Sequence, residues 1–433
     1  MRKEGGDCMD IFITGATGFI GRHVAGNLVR QGHRLTCLVR KTSQIQELEK
    51  LGIGLAWGDV RDPRSLLPGM SGCDALIHLA GATSFREPDR KAYADVNVNG
   101  TRTVMECALK VGVSRVIHMS TLHVYGKPAK IPFDEECPVG PERFSEYART
   151  KYEGERIAWG LFSKKGLPLT VCCPGIVLGQ GRTGRHFSPI RRLMDNIQVS
   201  RSTLNSAHTY TCVQDVAEAV SEILGRKDTI GRKFFIANER ISTRRLLVAI
   251  GEITGRRPSG VVMPDWVAML MARANVRMAG ISRTKGIPGV SPEYLLTDWN
   301  GLMADGSRVQ RELNFSYTPV INALKEEIES IRTLQSISER RRSKRRPIDI
   351  EVVYKAQGDE KETEGRVTDI SESGMLLMTR RPCSKGRYVS ASLSGQIPGE
   401  YLIARGRVVR RTKDAIAVDF THHGRDLRNI VTQ

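Results

Sequence analysis

The sequence predicts an α/β fold with a doubly wound parallel sheet and a small second lobe, followed by a small all-β barrel. A strand, a glycine-rich turn and a helix follow one another within residues 9–32, and further apolar strands then alternate with helical segments. After Pro347 the chain changes to short β-branched runs separated by Gly, Pro and Ser. A chain of 433 residues is too long for one core, so we place two domains at 9–335 and 336–433.

The first element is a buried strand, residues 11–13, that runs into a glycine turn. The turn TGATGFIG carries Gly15, Gly18 and Gly21. In such a turn the first glycine allows the tight bend, the second lets a pyrophosphate approach the backbone, and the third lets the helix pack closely on the strand. The helix presents free N–H groups and the positive end of its dipole to phosphate. This arrangement predicts a dinucleotide cofactor.

The residues that follow the second and third strands indicate which dinucleotide binds. An NAD site carries an acidic residue after the second strand for the ribose 2′-hydroxyl, whereas this sequence has Arg40 and Lys41. Basic groups suit a 2′-phosphate, so the sequence favours NADP over NAD. Asp59 lies just past the third strand, where its carboxylate is placed to accept a hydrogen bond from an adenine amino group.

Two later segments carry candidate catalytic groups. The fifth strand ends at Ser120 and Thr121, and EYARTK places Tyr147 and Lys151 four residues apart. Side chains at this spacing share one face of a helix, so the phenol and the ammonium project into the same site. A free tyrosine has a pKa of about 10. We expect the neighbouring lysine to lower it, so that the phenol exchanges a proton with an alcohol whose oxygen the Thr121 hydroxyl holds.

The motifs TGATGFIG, HLAGAT, STLHVYG and YARTK together resemble the extended short-chain dehydrogenases/reductases, which include NAD(P)-dependent epimerases, dehydratases and dihydroflavonol- or hydroxysteroid-type reductases. The resemblance extends from residue 9 to about residue 335. It implies a Rossmann-type sheet with a substrate lobe, an oxidoreductase or epimerase activity, and Thr121, Tyr147 and Lys151 as the catalytic trio. The cofactor-binding residues that it implies are Gly15, Thr17, Gly18, Phe19, Ile20, Gly21, Arg40, Asp59, Val60, Leu79, Ala80, Gly81, Lys151 and Pro174.

The sequence leaves the substrate open. Four arginines in GRTGRHFSPIRRL suit the diphosphate of a sugar nucleotide, yet they fit a solvated loop equally well. They are Arg182, Arg185, Arg191 and Arg192. The Met-rich segment 261–280 suits an apolar substrate or a membrane surface. We expect it instead to be a helix packed on the core of the enzyme domain.

A predicted helix at 319–338 leads into the strongly basic run ERRRSKRRP. Charge runs are usually solvated linkers. A nucleic-acid patch would need interleaved aromatic residues or a recognition helix, and this region has neither, so we expect no nucleic-acid partner. A second motif, DISESG, follows downstream at the end of a strand and offers a third interpretation of the basic run.

The Arg-x-x-x-Arg spacing before a six-stranded barrel, with D-x-S-x-x-G on the barrel, resembles a PilZ domain, the bacterial receptor for cyclic di-GMP. Guanidinium groups bind phosphates and a guanine edge bidentately, and a carboxylate accepts from guanine N–H groups. The ligand-binding residues that the resemblance implies are Arg340, Arg341, Arg345, Asp369, Ser371 and Gly374. We expect cyclic di-GMP to regulate the enzyme; the alternative is a non-catalytic signalling protein that senses NADP(H).

The bulk composition narrows the remaining classes. With 40% hydrophobic and 26% charged residues the composition is globular, and a net charge of +19 would attract phosphates or an anionic bilayer. A protein that binds nucleic acid or a membrane surface by charge therefore stays an alternative. The nine cysteines form no metal-ligand spacing, so we expect no metal and a reducing cytoplasm. We expect neither a signal peptide nor a transmembrane segment, and a homodimer is compatible with the sequence.

Overall fold

A computed structural model describes residues 8–83, 90–181, 189–194, 199–255, 262–282, 287, 290–340, 346–371, 374–393 and 402–420. The chain divides into two compact units, Met1–Ile331 and Arg332–Gln433.

The strands of the first unit are β1 (Asp10–Thr14), β2 (Arg34–Val39), β3 (Gly54–Trp57), β4 (Ala75–His78), β5 (Arg115–Met119), β6 (Leu169–Pro174), β7 (Ile176–Leu178), β8 (Val199–Ser200), β9 (Ala207–Cys212), β10 (Lys233–Ile236), β11 (Glu239–Ser242) and β12 (Val262–Met263). Over the described residues, seven of them form a parallel sheet in the order β10-β6-β5-β4-β1-β2-β3. Smaller sheets join β11, β9 and β7, and β12 with β8.

The helices of the chain are α1 (Phe19–Arg30), α2 (Gln46–Lys50), α3 (Pro63–Met70), α4 (Arg90–Tyr93), α5 (Thr101–Val111), α6 (Glu146–Lys165), α7 (Pro189–Met194), α8 (Arg201–Asn205), α9 (Val213–Leu224), α10 (Thr243–Thr254), α11 (Asp265–Ser282), α12 (Pro292–Asn300), α13 (Ser307–Leu313) and α14 (Val320–Arg340), as far as the structure describes them. A π-helical segment, Ala94–Gly100, precedes α5, and short 3-10 turns lie at Leu122–Tyr125 and Lys227–Thr229.

The strand β1 shows why the sheet is covered on both faces. Its residues Ile11, Phe12 and Ile13 are all completely buried. Because successive side chains of a strand point to opposite faces, Ile11 and Ile13 enter one hydrophobic core and Phe12 enters the other. A continuous apolar run of this kind is typical of parallel strands with helices on both sides. The predicted α/β fold is confirmed.

The segment 261–280 forms the predicted helix but leaves large apolar side chains exposed on one side. Its helix α11 packs on α12 through Ala268 and Ala272, which contact Leu295. The opposite side of α11 is exposed, however, with Trp266 at 70% and Leu270 at 60%. The expected packing of this helix is therefore confirmed through the side that carries Ala268 and Ala272, and the other side is exposed.

The second unit is a closed antiparallel barrel. Its strands are β13 (Arg346–Ala356), β14 (Thr363–Ser371), β15 (Gly374–Met378), β16 (Tyr388–Leu393), β17 (Leu402–Arg411) and β18 (Ala415–Phe420). Over the described residues they close in the order β13-β14-β15-β18-β17-β16. Alternating side chains such as Val389 and Ala391 of β16 point inward and fill the barrel with Val367, Leu377 and Ile416. The predicted small β-barrel is confirmed.

Candidate active site

The carboxyl ends of the parallel strands border a cavity of about 1040 Å³. A doubly wound sheet binds its ligands at this edge. The catalytic and cofactor-binding residues that the family resemblance implies all line the cavity. They are Gly15, Thr17, Gly18, Phe19, Ile20, Gly21, Arg40, Asp59, Val60, Leu79, Ala80, Gly81, Thr121, Tyr147, Lys151 and Pro174.

The glycine turn between β1 and α1 fits a dinucleotide. Gly15 has φ of +81°, and a β-carbon there would lie 2.5 Å from the backbone nitrogen of Ala80. A β-carbon on Gly21 would collide with the Gly15 carbonyl oxygen, so any side chain would push α1 away from β1. The turn therefore keeps the N-terminal turn of α1 at the cavity, where helix dipole and N–H groups favour a pyrophosphate.

Arg40 follows β2 and Asp59 follows β3, as predicted, but Asp59 already has a partner within the protein. Arg40 is exposed at the rim, and its backbone N–H donates to Ser43 Oγ over 3.0 Å. The Asp59 carboxylate accepts two hydrogen bonds from the Arg61 guanidinium, of 2.8 Å and 3.0 Å. These bonds lower the pKa of Asp59. An adenine amino group would therefore share Asp59 with Arg61, a residue that the sequence analysis passed over although it stands two positions further on in GDVRDP.

The predicted catalytic trio meets where β5 and α6 face each other. Thr121 follows β5, and its Oγ1 accepts from the His123 N–H over 3.3 Å. Ser145 caps α6, since its Oγ accepts from the Ala148 N–H over 3.2 Å, and this cap sets the first turn that carries Tyr147. The Tyr147 hydroxyl shares a hydrogen bond with Thr121. Lys151, one turn further, donates from Nζ to the Met119 carbonyl over 2.7 Å.

The pKa values of this pair run against the sequence-based expectation. Burial raises the pKa of Tyr147 to about 12, although the hydrogen bond with Thr121 opposes the rise. Burial lowers the pKa of Lys151 to about 8, and the nearby Glu155 carboxylate opposes that change. The net lowering that the sequence predicts is not found, because the phenolate would be a buried charge. At neutral pH the site therefore holds a neutral phenol beside an ammonium group.

A buried ion pair between Glu155 and Lys233 lies next to the trio. Glu155 lies one turn after Lys151 on α6, and its carboxylate accepts from Ser120 Oγ and contacts Lys233 Nζ, both at 2.5 Å. Trp159 Nε1 donates to the same carboxylate over 3.3 Å. Because Ser120 and Thr121 are adjacent, this network fixes the end of β5 that carries the trio's hydroxyl. Neither Glu155 nor Lys233 was predicted from the sequence; the spacing of Lys151 and Glu155 on one helix face was the available signal.

Asn97, on the π-helical segment, also organises the site and was not predicted. Its side chain accepts from the Ala82 N–H over 2.8 Å and donates to the Ala82 carbonyl over 3.1 Å and to Thr150 Oγ1 over 3.0 Å. Asn97 thereby ties the turn after β4 to the helix that carries the trio. Local π-helical geometry is frequent at functional sites.

The other half of the cavity has a polar wall whose residues were not predicted from the sequence. His123 lies edge-on to Tyr147, with ring centroids 6.1 Å apart, and burial lowers its pKa to about 4. His208 Nε2 lies 3.3 Å from Asp298 Oδ1, and both residues line the cavity. The distant positions of His208 on β9 and Asp298 on α12 explain why no local motif indicated this pair.

Of the four arginines that suit either a diphosphate or a solvated loop, the structure describes the side chain of Arg191 and not those of the other three. Arg182 and Arg185 lie outside the described residues, as does the side chain of Arg192. Arg191 lies on α7 and is exposed.

Of the residues predicted to bind cyclic di-GMP, Asp369, Ser371 and Gly374 lie on one hairpin of the barrel. Asp369 lies near the end of β14, and Ser371 pairs with Gly374 at the start of β15. A register shift between Val367 and Asp369 interrupts the pairing of the two strands. Arg340 ends α14, but its side chain lies outside the described residues, as do Arg341 and Arg345 entirely.

The part of the chain that the structure describes contains no helix of the length and apolarity needed to cross a membrane. Within the same residues, no group of three or more His, Cys, Asp or Glu side chains is placed to hold a metal ion.

Comparisons with known proteins agree with both units. The family model described as NAD dependent epimerase/dehydratase family matches residues 11–237, and the PilZ domain model matches residues 339–433. Sterol demethylase protein B of Methylococcus capsulatus is 28% identical over 314 residues, which cover 70% of this chain and 93% of that protein. The 4-hydroxy-2-methyl-3-oxo-4-farnesyl-3,4-dihydroquinoline-1-oxide ketoreductase of Stigmatella aurantiaca is 32% identical over 195 residues, 45% of this chain and 56% of that protein. The crystal structure of gox2253 is 28% identical, with a TM-score of 0.65 over 76% of this chain and 98% of that one.

Proposed function

The chain belongs to the NAD dependent epimerase/dehydratase family, and from this premise we propose that it is an NADP-dependent oxidoreductase or epimerase acting on a hydroxyl or carbonyl group, regulated by cyclic di-GMP at its PilZ domain. The observation that carries the enzymatic part is the convergence of Thr121, Tyr147 and Lys151 on the cavity that the glycine turn also lines.

The chemistry assigned to each residue follows from its environment. A bound nicotinamide supplies or accepts the hydride. In the reducing direction, the neutral Tyr147 phenol donates its proton to the substrate oxygen while the Thr121 hydroxyl holds that oxygen. The Lys151 ammonium, held at the Met119 carbonyl, stabilises the phenolate that remains. In the oxidising direction the same proton returns to Tyr147.

Replacing Tyr147 tests the enzymatic proposal against the alternative of a non-catalytic sensor. We expect Tyr147→Phe to bind NADPH normally and to lose roughly 10²–10⁴-fold in turnover, the usual contribution of a positioned acid. The measurement is NADPH oxidation with a panel of ketones. An unchanged rate of NADPH oxidation in Tyr147→Phe would contradict the assignment of Tyr147 as the acid.

We favour a largely apolar alcohol or ketone over a sugar nucleotide as the substrate. The names of two relatives refer to a sterol and to a farnesylated ketone. In the polar wall, the Asp298 carboxylate beside His208 would repel a diphosphate. Turnover of a sterol or prenylated ketone, with none of a UDP-sugar, is the result expected from the panel; the reverse would contradict this choice.

The preference for NADP rests on Arg40, which is exposed at the cavity rim where a 2′-phosphate would lie. We expect NADPH to bind at least about tenfold more tightly than NADH, and Arg40→Ala to remove that difference. Calorimetric titration of both nucleotides measures it. Equal affinities in the unaltered protein would contradict the NADP assignment.

Binding of cyclic di-GMP is supported by the placement of Asp369, Ser371 and Gly374 on one hairpin. We expect calorimetry to show binding that is lost in Arg341→Ala and in Asp369→Ala. Arg366 is an exposed residue on the same strand, so Arg366→Ala serves as the matched control and should bind normally.

Regulation of the enzyme by cyclic di-GMP is a separate prediction. If saturating cyclic di-GMP changes the affinity for NADPH, NADPH must change the affinity for cyclic di-GMP by the same factor. Independent affinities would leave a receptor without coupling to the cofactor.

A further inference from the structure

The exposed side of α11 carries the two most exposed large apolar side chains among the residues that the structure describes, Trp266 and Met278. Large apolar side chains lie there at high exposure, namely Trp266 at 70%, Leu270 at 60%, Met271 at 52% and Met278 at 68%. A contiguous apolar patch on a protein surface marks an interaction site, whereas single exposed apolar residues need no explanation.

Basic side chains are part of the same surface. Trp266, Leu270, Arg273 and Arg277 follow one another at spacings of four, three and four, which places them in one stripe of the helix. Both arginines are exposed. We call the six residues Trp266, Leu270, Met271, Arg273, Arg277 and Met278 the α11 face.

The α11 face is held in a fixed position rather than carried on a loose segment. Asp265, at the start of the helix, accepts from the Ser202 N–H over 2.9 Å and from Ser202 Oγ over 2.8 Å. Asn275 donates to the Val290 carbonyl over 2.7 Å and accepts from the Ile287 N–H over 2.9 Å. Ile287 is itself 60% exposed and extends the apolar surface beyond the helix.

We propose that the α11 face docks on an anionic lipid surface. Tryptophan and long apolar side chains insert at the boundary between headgroups and acyl chains, and arginines on the same face contact lipid phosphates. The sequence around the helix has the matching charge, since residues 256–285 contain six basic residues and one acidic residue, Asp265. The net charge of +19 adds a general attraction to such a surface.

Charge also argues against a second copy of the chain as the occupant. A two-fold contact pairs the same face with itself, and the α11 face carries two arginines and no acidic residue to pair with them. The acidic residue of this segment, Asp265, is engaged with Ser202. A lipid headgroup layer supplies the negative charge that the α11 face lacks.

Docking through α11 would also bring the substrate half of the cavity close to the lipid. The helix packs on α12, and α12 contributes Tyr294, Thr297 and Asp298 to the cavity wall. An apolar substrate dissolved in the bilayer would then reach the site over a short path. This consequence, unlike the docking itself, rests on the proposed function.

Vesicle sedimentation with the full chain tests the docking. We expect the protein to bind vesicles of phosphatidylcholine with phosphatidylglycerol and to bind pure phosphatidylcholine vesicles weakly. Leu270→Glu combined with Met278→Glu should reduce the bound fraction at least tenfold. Arg273→Gln combined with Arg277→Gln should weaken binding and reduce its dependence on salt. The matched control, Leu51→Glu combined with Val248→Glu, changes exposed apolar residues elsewhere on the unit and should bind normally.

Circular dichroism melting curves establish that each variant is folded. Failure of the unaltered protein to bind anionic vesicles would overturn the proposal. So would binding that survives Leu270→Glu with Met278→Glu, because the net charge alone would then explain it. If light scattering instead shows that these two substitutions convert a dimer to a monomer, the α11 face is an interface between copies. None of these outcomes depends on enzymatic activity, so the docking and the proposed function fail separately.

Discussion

Around Lys151 the first unit buries charged groups, whereas along α11 it exposes large apolar ones. Lys151 and Glu155 are 5% and 3% exposed, and Trp266 and Met278 are 70% and 68% exposed. Folding alone explains neither arrangement, because burying a charge and leaving apolar surface in water both cost free energy. Buried charges and exposed apolar side chains of this kind are expected at functional sites. Substitutions in the two regions should therefore change the free energy of unfolding by different amounts.

The two regions also differ in where their interaction partners lie. The buried charges have partners within the protein, since Glu155 contacts Ser120, Trp159 and Lys233. The α11 face finds its partner, in our proposal, outside the protein. Changes near Lys151 should consequently alter folding and chemistry, and changes on α11 should alter neither.

The largest effect is expected for Glu155→Gln. Removing one member of a buried ion pair leaves Lys233 as an uncompensated buried charge, which destabilises by roughly 3–5 kcal/mol. Denaturant unfolding measures the free energy. The control is Glu153→Gln on the same helix, whose exposed pair with Arg149 should contribute less than about 1 kcal/mol. Equal effects of the two substitutions would show that the Glu155 pair is not needed for the fold.

The next effect is a pH dependence set by Lys151. Its pKa of about 8 lies below the ordinary value because burial disfavours the charged form. Activity that needs the ammonium should fall above pH 8, by about tenfold per pH unit. Stability responds with the opposite sign. The cost of burying this charge is fully present below pH 8, so the free energy of unfolding should rise between about pH 8 and the ordinary lysine pKa.

The rate profile and the unfolding profile of the same protein test this prediction. The titratable groups that influence Lys151 are Glu155, which raises its pKa, and Cys173, which acts in the same direction. In Glu155→Gln the fall in activity should therefore move to lower pH. A profile that stays flat to pH 10 would mean that the charge on Lys151 is not needed.

Local pattern predicted most of the fold and the candidate trio. The apolar run of β1, the glycine spacing and the i, i+4 pair of Tyr147 and Lys151 are each set within a few residues. The partners that were missed are far apart in the chain: Glu155 meets Lys233, and His208 meets Asp298, only after the sheet has formed. The rise in the pKa of Tyr147 was missed for a related reason, because spacing indicates a neighbour and not the depth of burial.

The helix α11 illustrates a second limit of sequence patterns. Periodicity indicates the covered side of a helix by contrast with its polar side. In α11 apolar residues occur on both sides, so the pattern predicts a helix and does not tell which side the core covers. The structure supplies that answer through Ala268 and Ala272, whose small side chains allow close packing on α12.

A smaller effect, and a gain in stability, is expected for His118→Leu. His118 lies on β5, completely buried and stacked on His78 at 5.3 Å, and within the described residues neither of its ring nitrogens has a hydrogen-bond partner. A buried polar group without a partner costs about 1–3 kcal/mol, which an apolar residue of similar size avoids. Thermal unfolding should show a higher midpoint. A lower one would indicate that His118 has a partner, such as an ordered water.

The smallest effect is expected for Leu270→Gln on the α11 face. An exposed apolar side chain contributes little to folding, so the free energy of unfolding should change by less than about 0.5 kcal/mol. Leu295→Gln, on the covered side of the same contact, is the matched comparison and should destabilise by several times as much, because Leu295 is buried against Ala268 and Ala272. Denaturant unfolding in the absence of lipid measures both. A large loss in Leu270→Gln would mean that the α11 face packs against protein in solution, and the contrast between the two regions would then disappear.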